Sequence, residues 1–230
     1  MATAATSTVS VPRIETSIAR WSGLAGLLFA VSVAAFNIVA QAVGTDPAPD
    51  AAADEILQHA RDHKDVIEFS FGWVAVNVVL LGIFISGLYQ RVRERAPIFA
   101  RLGLVGAIVL MVFFPLKNVP VALIVAGADS LASQPQLVEA LWRLQLATFA
   151  LAQLVLGLAL VGFSVSAARA RLVPNWVAYA GPLAALTLIA GAAPLSLQVE
   201  GSNAVRFGVI GFVSWLVFVG CSGVLVWRGR

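Results

Sequence analysis

Six long apolar runs separated by short polar segments dominate the chain. They cover about Trp21–Val43, Val66–Gln90, Ile98–Ala126, Leu141–Ala167, Trp176–Ser196 and Ala204–Trp227. Each holds roughly 20 residues or more, the length a helix needs to cross a hydrocarbon core at about 1.5 Å per residue. The pattern predicts an all-α fold: a polytopic bundle of six transmembrane helices over residues 21–230. Residues 1–20 are small, polar and Ser/Thr/Ala-rich, and read as a disordered cytoplasmic tail. Ala40-Gln41-Ala42 has the look of a signal-peptidase site, but the run before it exceeds a signal core of about 7–15 residues, so the first span is expected to be retained.

The longest polar segment is Gly44–Asp65. Pro47 and Pro49 predict a turn, and Asp50 is placed to cap a short helix from Ala51 to about His63. Asp54 and Glu55 suit the positive start of that helix. Ile56, Leu57 and Ala60 give it a thin apolar stripe, so it is expected to lie as an extracytoplasmic cap over the bundle.

Composition sharpens the class. Of 230 residues, 60% are hydrophobic and only 12% charged, with mean hydropathy +0.90. A soluble domain carries about 25% charged residues. The net charge of +3 comes mainly from arginines flanking the spans, so it gives no case for nucleic acid. Cys221 is the one cysteine, which excludes an intrachain disulfide; it reads as a small packing residue.

Arginine crowds the ends of alternate runs: Arg91, Arg93, Arg95 and Arg101, then Arg169 and Arg171, then Arg228 and Arg230, together with Arg13 and Arg20. Acidic residues dominate the opposite ends. An excess of Lys and Arg marks the cytoplasmic side, so the chain is expected to sit in the plasma membrane with both termini inside. Trp21, Trp176 and Trp227 fall at that boundary and Trp142 at the other, as an interfacial aromatic belt.

A weak repeat runs through the spans. Gly82 and Gly87 recur 75 residues later as Gly157 and Gly162, Gly106 as Gly181, and Glu68 as Arg143. Arg143 and Phe149 recur 63 residues on as Arg206 and Phe212, and Trp21-x4-Gly26-x-Leu28 is echoed by Trp176-x4-Gly181-x-Leu183. Three two-span hairpins in one orientation would produce this. So would coincidence among Gly-, Ala- and Leu-rich helices.

The third run contains Phe113-Phe114-Pro115-Leu116-Lys117-Asn118-Val119-Pro120. Inside a continuous helix, Pro115 would free the carbonyl of Met111 and Pro120 that of Leu116. A lysine at the bilayer centre costs about 2.5–3.5 kcal/mol on insertion scales. Counting from Arg101, however, Lys117 comes only about 6 Å below the far surface, close enough to snorkel.

Other polar groups gather in the same outer half: Asn37, Gln41, Glu68, Asn77, Asn118, Arg143, Gln145, Glu200, Asn203 and Arg206. Glu68, Lys117, Asn118, Arg143, Glu200 and Arg206 are the binding-site candidates, expected to converge on an outward-facing pocket with Glu68 paired to Lys117 or Arg143. The basic excess in that set suits an anionic ligand. The competing reading makes them interfacial anchors and helix-end pairs. On the cap helix, His59 and His63 stand four apart with Glu55 one turn earlier, which puts two imidazoles and a carboxylate on one face, as a metal site needs. No His-Glu-x-x-His and no cysteine ligand accompanies them, so a solvated face is the better reading.

No catalytic residue can be nominated. Gly-x-Ser-x-Gly and P-loop patterns are absent, and no span carries an Asp or His pair at mid-depth. Neither lysine lies in the last helix, where a retinal Schiff base would sit, and no cofactor is implied.

Three stretches carry a resemblance in layout. They are Asp50-Ala-Ala-Ala-Asp-Glu-Ile-Leu, Leu88-Tyr-Gln-Arg-Val-Arg, and Ala168-Arg-Ala-Arg-Leu-Val-Pro-Asn-Trp176-Val-Ala-Tyr-Ala-Gly. With the span order, they resemble bacterial families of six- or seven-span membrane proteins of unknown function. The Ala/Arg/Val-rich, Lys-poor composition resembles that of actinobacterial proteins. The resemblance implies architecture and no activity. The residues themselves point to a membrane protein that binds or passes a small anionic or amphiphilic ligand. The alternative is a structural or regulatory subunit of a larger membrane complex that meets a membrane partner or a second copy through its Gly/Ala faces and cytoplasmic arginines. A membrane enzyme ranks third.

Overall fold

The computed structural model describes residues 13–43, 46–192 and 204–229, except for the side chains of 13–19, 41–43 and 204–207. Every regular element among them is helical. They are α1 (Arg13–Val43), α2 (Ala53–Asp62), α3 (Lys64–Val92), α4 (Pro97–Leu116), α5 (Val119–Ala126), α6 (Ala128–Leu131), α7 (Pro135–Arg169), α8 (Asn175–Ala192) and α9 (Ala204–Trp227). Six segments are long and apolar enough to cross a membrane, the third being α4 and α5 together. The polytopic membrane bundle expected from hydropathy is therefore present. Its outer faces carry exposed Val31, Val79, Ile108, Leu151, Leu183 and Val213, which suits contact with lipid.

Two boundaries differ from expectation. Helix α1 begins at Arg13, inside the segment read as a tail. The cap helix starts at Ala53 with Ala52 as N-cap and no side-chain cap bond, so Asp50 is not the cap. Asp50 belongs instead to the preceding turn, which Ala51 N–H closes by donating to the Ala48 carbonyl at 3.0 Å.

The six spans follow chain order around a ring: α1 on α3, α3 on α4, α4 on α7, α7 on α8, α8 on α9, and α9 back on α1. Small residues allow the closest approaches, as in membrane bundles generally. Gly162 of α7 faces the backbone of Gly103 in α4. Gly23 of α1 faces Gly223 and Trp227 of α9, which closes the ring.

The centre belongs to alternate spans. Helices α3, α7 and α9 touch one another there. Positions related by the 75- and 63-residue offsets are buried at matching levels: Leu81, Leu156 and Val219, then Leu88, Phe163 and Val226. Gly82, Gly157 and Gly220 obey the same offsets, and each faces the leading helix of the next hairpin, through Met111, Ile189 and Ala30 respectively. The repeat is thus expressed in packing: three hairpins, each placing its second helix inside.

The central core is dry. A void of about 10 Å³ lies between Leu81, Phe84, Leu110, Phe163, Trp215 and Phe218. That is space for one water at most, and an apolar void of this kind stays empty. A second core lies at the cap end, where Ile56, Leu57 and Ala60 of α2 pack on Ile124, Val125, Val138 and Trp142. The expected cap is therefore present. At 29 and 35 residues, α3 and α7 are about 43 and 52 Å long, so both outrun a hydrocarbon core of about 30 Å and can reach this second storey.

Trp142 is not part of an interfacial belt. It is 4% exposed, and its Nε1 donates to the Ala48 carbonyl at 3.0 Å, tying the cap segment to α7. Trp142→Phe is expected to lower stability by about 1 kcal/mol, the worth of one such bond. Exposed Trp21→Phe should change it by less than half of that, with both read as unfolding temperature in neutral detergent.

At the opposite end, called here the arginine end, α7 stops in a Schellman turn. Leu172 N–H donates to the Ala167 carbonyl and Arg171 N–H to that of Ala168, both at 2.9 Å. Arg171 has φ +54°, a left-handed position that glycine normally fills and that costs another residue about 1 kcal/mol.

Candidate functional site

Helix α4 alone has 20 residues and spans about 30 Å, a full membrane crossing. Lys117 follows its last residue and therefore lies at the cap-end boundary. The chain breaks there. Lys117 N–H still reaches the Phe113 carbonyl at 3.0 Å, but Asn118 N–H donates to Pro115 and α5 restarts from the Asn118 carbonyl. The expectation of two freed carbonyls holds for one proline only. Pro115 stands within α4. Pro120 is the second residue of α5, where a missing N–H costs nothing.

The break sets the Lys117 ammonium among aromatic rings. Its Nζ lies 5.1 Å from the Phe149 ring centre and 5.8 Å from that of Phe114, both cation–π distances. No carboxylate among the described residues is within ion-pair range. Asn118 beside it is half-buried, and its side chain makes no capping bond to α5. On α7, Gln145 stands one turn before Phe149 and so on the same side of that helix. Its Oε1 is buried without a donor among the described residues. Around the break, Val112, Leu116 and Val119 are exposed. Among the described residues, the boundary thus holds a cation with no anion, an amide oxygen with no donor, and an apolar surface beside them.

Glu68 and Arg143 do not join this group. Glu68 pairs with Lys64 at 3.7 Å and Arg143 with Glu139 at 3.8 Å, each four residues away on its own helix. Both are exposed, at 57% and 60% of their side-chain surface. The expected pairing of Glu68 with Lys117 or Arg143 is replaced by these bridges, because i,i+4 partners on one helix are nearer than charges on another. Glu200 lies outside the described residues. Arg206 is in α9, but its side chain also lies outside them.

A polar cluster not expected from the sequence sits deeper. Trp73 Nε1 and Asn77 Nδ2 both donate to Ser32 Oγ, at 2.9 and 3.2 Å, and Asn77 Nδ2 also donates to the Trp73 carbonyl at 2.8 Å. Phe36 stacks on Trp73 at 4.1 Å. Asn77 is wholly buried, and its Oδ1 has no donor among the described residues. The available signal was Trp73-x3-Asn77 on one helix face with Ser32 at a similar depth in the first span. Asn37 meanwhile turns back on the Val33 carbonyl of its own helix at 2.8 Å.

On the cap, the His59 and His63 rings are 4.7 Å apart, and His59 Nε2 is 3.8 Å from Asp46 Oδ1. Among the described residues no group of three or more His, Cys, Asp or Glu side chains is placed to hold a metal ion. Burial pushes the His59 imidazole below its ordinary range, and His63 adds to this. Asp46 and Asp62 pull the other way without reversing it. A histidine whose folded pKa is lowered binds protons more readily once unfolded. Stability is therefore full above the ordinary value of about 6.5 and is lost as pH falls through it towards the folded value. The unfolding temperature should drop on acidification below that point, and His59→Gln should flatten the slope.

No protein-family model, curated protein or solved structure matches this chain.

Proposed function

We propose that the protein is a multi-pass plasma-membrane protein that holds a small anionic amphiphile at the extracytoplasmic boundary, with the Lys117 ammonium as counter-ion. The observation that carries this reading is Lys117 itself: a cation at a helix break, seated over two aromatic rings and lacking a carboxylate partner among the described residues. The Gln145 oxygen, without a donor among the described residues, offers an acceptor to an acid or hydroxyl proton. Exposed Val112, Leu116 and Val119 offer an apolar path for a tail. The dry central core favours holding a ligand over passing it across. The arginine excess at the end bearing both termini supports a cytoplasmic location for that end.

The subunit reading keeps its exposed arginines, while the glycines at Gly103, Gly106, Gly162 and Gly223 pack between spans of this chain and are not free for a partner. The test uses purified protein in a neutral maltoside detergent. Dodecanoate or dodecyl phosphate should raise the unfolding temperature saturably, by mass action on the folded state. Dodecyltrimethylammonium should not. Equal effects of both head groups would sink the reading.

A further inference from the structure

The arginine end is a second charged surface with no role in the proposal above. Arg93, Arg95, Arg101, Arg169 and Arg171 are all exposed there, and none forms an ion pair with a described residue. The four ion pairs between described residues all lie at the cap end, and Glu94 is the one acidic side chain described at the arginine end. Two features go beyond a general excess of charge. The Arg169 guanidinium is seated 4.9 Å over the Phe99 ring of the neighbouring helix, which orders it across the α4–α7 seam. Arg171, two residues on, holds the left-handed position of the Schellman turn, where glycine would be relaxed. A strained backbone therefore presents an exposed guanidinium beside an ordered one. Exposed Ile98 and Trp176 flank the same turns.

We infer that this turn is a seat for the headgroup of an anionic phospholipid. Guanidinium forks match phosphate oxygens in pairs. Trp176 suits the level between headgroup and chain. Lysine-poor, arginine-rich turns also keep their charge at any physiological pH. The site binds the phosphodiester from the bilayer that surrounds it, so the apolar flank and the cation act on one molecule. It is independent of Lys117, which lies at the opposite end of α4.

The experiment titrates the detergent-solubilised full chain with phosphatidylglycerol, phosphatidylcholine or inorganic phosphate and reads unfolding temperature. Phosphatidylglycerol should raise it by several degrees, less so in high salt, and the other two should not. The double variant Arg169→Gln/Arg171→Gly should lose at least half of that shift while folding well, since glycine relaxes the turn. Lys117→Met should keep it. Equal stabilisation by phosphatidylcholine, equal stabilisation by inorganic phosphate, or a full shift in the double variant would each overturn the inference. Loss of the shift in Lys117→Met with retention in the double variant would also overturn it, and would place the lipid at the cap-end site instead.

Discussion

One methyl group added at Gly162 is expected to destabilise the protein by about 3 kcal/mol, the upper end of the usual cost of overpacking. The new Cβ would fall on the backbone nitrogen of Gly103, 2.5 Å from its Cα and 2.7 Å from the Phe99 carbonyl oxygen. These are backbone atoms of a facing helix, so no side-chain rotation relieves the clash. Helices α4 and α7 must separate, and the rings of Phe99 and Phe163 beside the crossing lose their fit. Gly72 provides the control. It lies in α3 with open space for 4 Å around the position a Cβ would take, so Gly72→Ala should stabilise by about 0.5–1 kcal/mol through helix propensity. Unfolding temperature and the monodisperse fraction after detergent extraction measure both. A neutral Gly162→Ala would mean that α4 and α7 do not cross as closely as described.

The second large effect concerns Lys117. A charge-assisted contact contributes about 1.5–3 kcal/mol, so Lys117→Met should weaken anionic-amphiphile binding by roughly tenfold or more. Without ligand the variant should unfold near the parent temperature. Methionine keeps the apolar stem between Phe114 and Phe149, and the cation–π contact given up at this half-buried position, about 1–2 kcal/mol, is offset by no longer holding a charge out of water. Lys117→Arg should retain much of the binding. Dodecanoate titration followed by thermal shift gives the three affinities on one scale. Equal affinities in parent and Lys117→Met would remove Lys117 from the site.

Hydropathy made the spans legible because every backbone polar group in lipid must be satisfied within a helix, which leaves an uninterrupted apolar run as the mark of each crossing. The hairpin repeat was legible in Gly82, Gly157 and their offsets, since a glycine at a helix crossing is a steric requirement. Helix rotation was not legible. Trp142 had the right depth for a belt but faces the cap core, and no count along the chain distinguishes those two faces. Glu68 and Arg143 were assigned to one pocket by depth alone, yet each had a nearer partner on its own helix. Lys117 was found for a sequence reason, two prolines around a charge. Its aromatic seat depends on Phe149, a residue of another span with no sequence signal linking it to position 117.

If Lys117 is the counter-ion of a bound amphiphile, it must stand at a water-reachable boundary at the cap end. Single-cysteine labelling tests it most directly. Lys117→Cys, Leu110→Cys and Arg93→Cys are made in a Cys221→Ser background, which removes the native thiol. Intact cells are treated with a small membrane-impermeant maleimide. Position 117 should react, buried position 110 should not, and position 93 should react only after the cells are opened. If 117 stays as silent as 110 in both intact and opened cells, Lys117 is a sealed packing residue and the binding proposal is wrong.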